Sequence, residues 1–192
     1  MSKLTEIRWH GRGGQGAKTA ALLFGEAVLG QGKYMQAFPE YGPERMGAPV
    51  QSFNRISDQP ITLHCHVTSP DIVVVLDPTL IGNIDVTQGL PENGIILINS
   101  SLPASKFREM LKLNGQKVYT VDASKIARET IGRDIPNTPM MGALVKVTGL
   151  LDFEEMLKDT RKKLEKKFRS RPEIIEGNIK AIQRAYDEVT EG

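Results

Sequence analysis

Glu6-Ile7-Arg8-Trp9-His10-Gly11-Arg12-Gly13-Gly14-Gln15-Gly16 is the stretch on which the fold turns. Its first half is made of strand-forming residues, its second half is glycine-rich, and good helix formers follow over Ala17–Leu29. Ala20, Leu23, Phe24, Ala27 and Val28 recur at three- and four-residue spacing and so share one helix face. Strand, glycine turn and helix in that order aim backbone N–H groups and the helix N-terminus at an anion in the turn, and a phosphate is the natural guest. Gly11, Gly13 and Gly16 also satisfy the G-x-G-x-x-G spacing of dinucleotide sites. Such a site wants an acidic residue about 20 positions past the loop, at the end of the second strand. Tyr34–Phe38 offers none, and Glu40, the nearest, stands beyond Pro39. From these residues alone the loop reads as a phosphate cradle, a nicotinamide or flavin site, or a tight turn with no ligand.

Working outward, Gly30 and Gly32 end the first helix and Lys33–Phe38 predicts a second strand, which Pro39-Glu40-Tyr41-Gly42-Pro43 cannot continue because proline lacks the ladder donor. Val50–Ile56 and Ile61–His66 are β-prone runs on either side of Ser57-Asp58-Gln59-Pro60, the pattern of an antiparallel hairpin. Asp71–Asp77 and Gly94–Asn99 are short continuous apolar runs, as strands buried on both faces require. A strand over Lys117–Val121, preceded by a helix over Pro103–Leu113 and followed by one over Ala123–Ile131, continues the β–α alternation of a mainly parallel sheet. Met140–Leu151 is apolar on nearly every side and predicts a buried helix. Phe153–Phe168 and Glu173–Val189 predict charged, amphipathic helices that close the outside. The fold class expected is therefore α/β: three layers around a mainly parallel, mixed sheet, with a Rossmann-like first βα turn and a C-terminal helical segment. No repeat or linker divides it, so residues 1–192 are expected to form a single domain.

Composition excludes several classes. With 25 Lys and Arg against 23 Asp and Glu the net charge is +2, too little for the basic field of a nucleic-acid binder. No uninterrupted apolar run is longer than Ile72–Leu76, far short of the roughly 20 residues of a membrane span. Met1–Glu6 does not read as a secretory leader, so the expected location is the cytoplasm. Cys65 is the sole cysteine, whereas an iron–sulfur cluster takes four thiolates, so no cluster is expected on this chain alone. Nor can the monomer form an internal disulfide, in keeping with a reducing compartment.

Other residues carry candidate chemistry. Arg12 and Lys18 could supply cations to a bound phosphate, Gly13 and Gly14 backbone donors, and Gln15 a further hydrogen bond; the bland alternative for the two cations is solvated charge beside a loop. Tyr41, Glu44 and Arg45 stand in a stiff frame of Gly42, Pro43, Gly47 and Pro49 and are candidate interface residues, or else side chains facing water. His64-Cys65-His66 resembles a metal cluster, but a strand would turn Cys65 away from the two histidines, and no metal site is expected. Lys162, Lys163, Lys166, Lys167, Arg169 and Arg171 are interleaved with Glu154, Glu155, Asp159 and Glu165 and read as a solvated face more readily than as a docking patch. No catalytic set is assigned.

Three motifs in order, Arg8–Gly16, Tyr41-Gly42-Pro43-Glu44-Arg45-Met46-Gly47-Ala48-Pro49 and Asn137-Thr138-Pro139-Met140-Met141-Gly142-Ala143-Leu144, resemble the gamma subunits of pyruvate and related 2-oxoacid:ferredoxin oxidoreductases, and the resemblance spans nearly the whole chain. Ala48 stands where some of those subunits have a second glycine. The resemblance implies a multi-subunit enzyme that oxidatively decarboxylates a 2-oxoacid, with pyruvate the first choice, passes electrons to ferredoxin and makes an acyl-coenzyme A. It implies partners of the alpha, beta and delta type, which carry thiamine diphosphate, magnesium and [4Fe-4S] clusters. To this chain it assigns assembly and the handling of coenzyme A, through Gly11, Arg12, Gly13, Gly14, Gln15, Gly16 and Lys18. The rival readings are a stand-alone NAD- or FAD-binding oxidoreductase domain and a purely structural assembly subunit.

Overall fold

A computed structural model describes residues 4–40 and 46–192. Its seven-stranded sheet has the order β2-β3-β1-β4-β5-β6-β7. Strand β1 (Thr5–Arg12) runs parallel to β4 (Ile72–Val75), and β5 (Ile95–Asn99) and β6 (Lys117–Val121) continue the parallel centre. The flanks are antiparallel: β3 (Pro49–Ser57) pairs with both β1 and β2 (Tyr34–Pro39), and the short β7 (Thr190–Glu191) closes the other edge against β6.

The strands alternate their side chains between two cores, as the pleat requires. Ile7, Trp9, Val74 and Leu97 face helices α1 (Ala17–Gly30), α3 (Ala123–Ile131), α4 (Asn137–Thr148), α5 (Phe153–Lys167) and α6 (Pro172–Glu188). Val73, Val75, Ile96, Ile98 and Val118 face the short α2 (Ala104–Met110), a 3-10 turn at Pro78–Leu80 and the segment that follows it. This is the expected three-layer α/β architecture. α4 touches α1, α3, α5, α6 and the sheet, which explains why it is apolar all round. Gly142 lets α6 approach it closely: a Cβ there would stand 2.1 Å from the Ile182 carbonyl oxygen.

Three expectations need correction. Ile61–His66 is not a strand, and the hairpin is instead β2–β3. Both edges of β3 are taken by β1 and β2, so a further strand has no free ladder to join. The segment is held by side chains: Arg55 Nη2 donates to the Cys65 carbonyl at 2.7 Å and Gln36 Nε2 to the Leu63 carbonyl at 2.9 Å. Secondly, α4 begins at Asn137, not Met140, because Pro139 falls in its first turn, where no backbone donor is required; it stops before Leu151 because Gly149 caps it in the left-handed conformation. Lastly, β7 was not anticipated from the sequence. Among the described residues no helix is long and apolar enough to cross a membrane.

Candidate functional site

The glycine turn leaves the carboxyl end of β1, beside the end of β4, the crevice where open α/β sheets place ligands. Two of its glycines are conformationally necessary. Gly14 has φ 98° and Gly16 φ 84°, backbone that side chains rarely tolerate. Gly16 is crowded as well, since an added Cβ would lie 2.7 Å from Asn137 Nδ2 at the start of α4. Among the described residues a Cβ on Gly14 would meet nothing within 4 Å beyond its chain neighbours.

The second motif pairs with the first. Gly13 N–H donates to the Ala48 carbonyl at 2.9 Å and Gly47 N–H to the Gly13 carbonyl at 3.1 Å. With Asn137 against Gly16, parts of all three motifs meet at the N-terminus of α1. They border a cleft of about 440 Å³, lined by Arg12, Gly13, Gly14, Gly16, Ala17, Lys18 and Thr19. Glu40, Met46 and Gln51 line it as well. Among the described residues none accepts a hydrogen bond from the N–H groups of Gly14, Gly16, Ala17, Lys18 or Thr19. Those donors and the exposed Lys18 make the cleft fit for an anionic group.

The residues expected at the loop have divided roles. Gly11 lies in β1 opposite Val50, and a Cβ there would press on Ala17 and Leu76. The Gly13 N–H is engaged with Ala48. Gln15 is turned inward: its Oε1 accepts from the Arg12 N–H at 2.7 Å and its Nε2 donates to Asp77 Oδ2 at 2.7 Å. Arg12 donates to Asp77 Oδ2 at 3.1 Å, to Thr79 Oγ1 at 3.0 Å and to the Gly47 carbonyl at 3.1 Å, while still lining the cleft. Tyr41, Glu44 and Arg45 lie outside the described residues. His64, Cys65 and His66 are exposed and not in a strand, so the alternation argument does not apply to them; among the described residues no group of three His, Cys, Asp or Glu gathers for a metal.

Other polar residues around the turn were not anticipated. Asp77 follows β4, caps the 3-10 turn and accepts four hydrogen bonds, two of them from the N–H and hydroxyl of Thr79. Burial would raise its carboxyl, but the bonds from the Thr79 hydroxyl, the Gln15 amide and the Thr79 N–H, then the Arg12 charge, outweigh that and hold it below the usual range. Beneath the loop, Arg8 donates to the Val86 and Gln88 carbonyls and, through Nε, to His10 Nε2 at 3.0 Å. His10 is 1% exposed, and burial together with the Arg8 charge pushes its pKa down to about 4, so the ring is neutral at pH 7. The alternation of Arg8, His10 and Arg12 with Ile7, Trp9 and Gly11 was the signal available in the sequence: it marks a polar sheet face beneath the loop.

Residues 6–188 match the family described as Pyruvate ferredoxin/flavodoxin oxidoreductase. The chain is 49% identical over 187 residues to the pyruvate synthase subunit PorC of Thermotoga maritima, covering 97% of this chain and 95% of that one. The chain belongs to this oxidoreductase family, as a gamma-type subunit. The pyruvate/ketoisovalerate oxidoreductases common subunit gamma of Pyrococcus abyssi is 45% identical, with 96% of each chain covered. The crystal structure of the pyruvate oxidoreductase subunit PORC from T. maritima superposes with a TM-score of 0.87 at 46% identity, over 99% of both chains. A gamma-type subunit is one part of a multi-subunit oxidoreductase.

Proposed function

We propose that this chain handles coenzyme A within a pyruvate-type 2-oxoacid:ferredoxin oxidoreductase and helps to assemble that enzyme. The observation that carries the reading is the convergence of the three motifs on the N-terminus of α1, where Gly14, Gly16, Ala17, Lys18 and Thr19, whose N–H groups have no acceptor among the described residues, line one cleft. A coenzyme A phosphate in that cleft would receive several N–H bonds and the Lys18 charge, each a charge-assisted interaction. Glu40, which also lines the cleft, suits the hydroxyl and amino donors of the nucleoside part. Thiamine diphosphate, magnesium and the [4Fe-4S] clusters are assigned to the alpha-, beta- and delta-type partners, which pass electrons to ferredoxin; the single Cys65 here supplies too few thiolates for a cluster. Calorimetric titration of the assembled enzyme with coenzyme A tests the reading. Lys18→Ala is expected to weaken binding about ten-fold, the scale of one charge-assisted bond. Unchanged affinity would leave the cleft empty and the chain a structural assembly subunit.

A further inference from the structure

We infer that Asp77, which does not line the cleft, is the positioning residue for the phosphate-binding turn; the inference rests on the coenzyme A reading above. Asp77 is 9% exposed and sits where β4 meets the 3-10 turn at Pro78–Leu80. Oδ1 is occupied by Thr79, whose N–H and hydroxyl donate to it at 2.9 and 2.7 Å, which fixes the carboxylate plane. Oδ2 then collects Gln15 Nε2 and Arg12 Nε, 62 and 65 residues away in the chain.

Each of those two side chains passes the constraint on. Gln15, held by Asp77, accepts the Arg12 N–H with its other amide atom and so clamps both ends of the turn Arg12–Gln15, whose Gly14 faces the cleft. Arg12, held by the same oxygen, donates to the Gly47 carbonyl and ties down the second loop, which is paired with Gly13. One carboxylate therefore links, through Gln15 and Arg12, to both loops that border the cleft. These bonds add to the backbone contacts of the turn, in which Gly13 N–H donates to the Ala48 carbonyl and Gln15 N–H to the Arg12 carbonyl at 3.0 Å, and without them Gly14 and Gly16 would reach more of the conformations that glycine allows. A neutral amide of the same shape would keep one oxygen for two of the four donors and turn its NH2 group toward the other two, leaving at least one unpaired.

The test compares Asp77→Asn, Asp77→Asn/Gln15→Glu and Gly14→Val in the assembled enzyme, measuring KM for coenzyme A and for the 2-oxoacid. Asp77→Asn is expected to raise the coenzyme A KM roughly ten-fold, as losing one charge-assisted bond would, with the 2-oxoacid KM little changed. In the double variant the amide introduced at position 77 can donate to the carboxylate introduced at position 15. That carboxylate's other oxygen still accepts the Arg12 N–H, and its charge faces the Arg12 guanidinium. Recovery to within about three-fold of the parent supports positioning, since mere damage would not be repaired by a second substitution. If Gly14→Val raises the coenzyme A KM and Asp77→Asn does not, the positioning role is refuted while the coenzyme A reading stands. If neither moves it, both are refuted. Equal rises in both KM values without rescue also overturn the proposal. Should Asp77→Asn fail to assemble, Gln15→Met cuts the same link at similar length and must give the same selective rise, or the inference falls.

Discussion

Gly14→Val separates ligand binding from folding more cleanly than any other change in the turn. At φ 98° a β-branched residue carries backbone strain of roughly 1–3 kcal/mol, but among the described residues an added Cβ meets no atom within 4 Å beyond its chain neighbours. The strain falls on an exposed turn, so the subunit should still fold and assemble, which size-exclusion chromatography of the complex checks. A ligand phosphate would meet the added methyl groups and be held away from the Gly14 and Gly16 N–H groups. Loss of one or two charge-assisted hydrogen bonds, at about 1.5–3 kcal/mol each, corresponds to roughly ten- to thousand-fold weaker coenzyme A binding. The assay is steady-state kinetics of the assembled enzyme with coenzyme A and the 2-oxoacid varied in turn, and decarboxylation with an artificial electron acceptor as the reference activity. A rise confined to the coenzyme A KM supports the cradle. Equal loss of both activities in an intact complex would show that the turn serves the whole active site, and no change in either would make it a structural turn. Gly16→Val is the contrasting control: its side chain would collide with Asn137, so the subunit itself should be destabilised.

Three further outcomes are expected. His10 titrates near 6.5 when unfolded and about 4 when folded, so the unfolded chain binds the extra proton between those values; acidification from pH 6.5 to 4 should cost roughly 3 kcal/mol of stability, a slope that His10→Gln flattens in denaturant melts. Gly142→Val must push α4 from the α6 backbone and should lower stability by about 3 kcal/mol, roughly 6–12 °C in Tm, whereas an unchanged melt would contradict the packing described. Tyr41→Ala and Arg45→Ala are expected to weaken assembly with the partner subunits, read by co-purification; full assembly and turnover in both would remove that loop from the interface.

Much of the architecture was legible because it rests on short-range patterns. The continuous apolar runs around Ile72–Val75 and Ile95–Asn99 have the pattern of buried strands and form the sheet centre, and α3 has the expected limits Ala123–Ile131. The glycine turn was recognisable as a place for an anion because strand, turn and helix are contiguous. Arg12 and Gln15 look like ligand groups in the sequence, since their spacing beside glycines is the only information it carries about them, yet both are bound to Asp77.

Local sequence by itself determined most of the helices, the buried centre of the sheet and the strand, turn and helix around the glycines, since each depends on residues within a few positions of one another. The tertiary structure alone decided that β3 fills the edge between β1 and β2 and leaves Ile61–His66 unpaired, that β7 forms, and that Asn137 seats against Gly16. It also decided that Asp77 clamps the turn from 62 and 65 residues away. Partnerships of that kind are fixed by which strands lie side by side once the core has formed, and no periodicity along the chain encodes them.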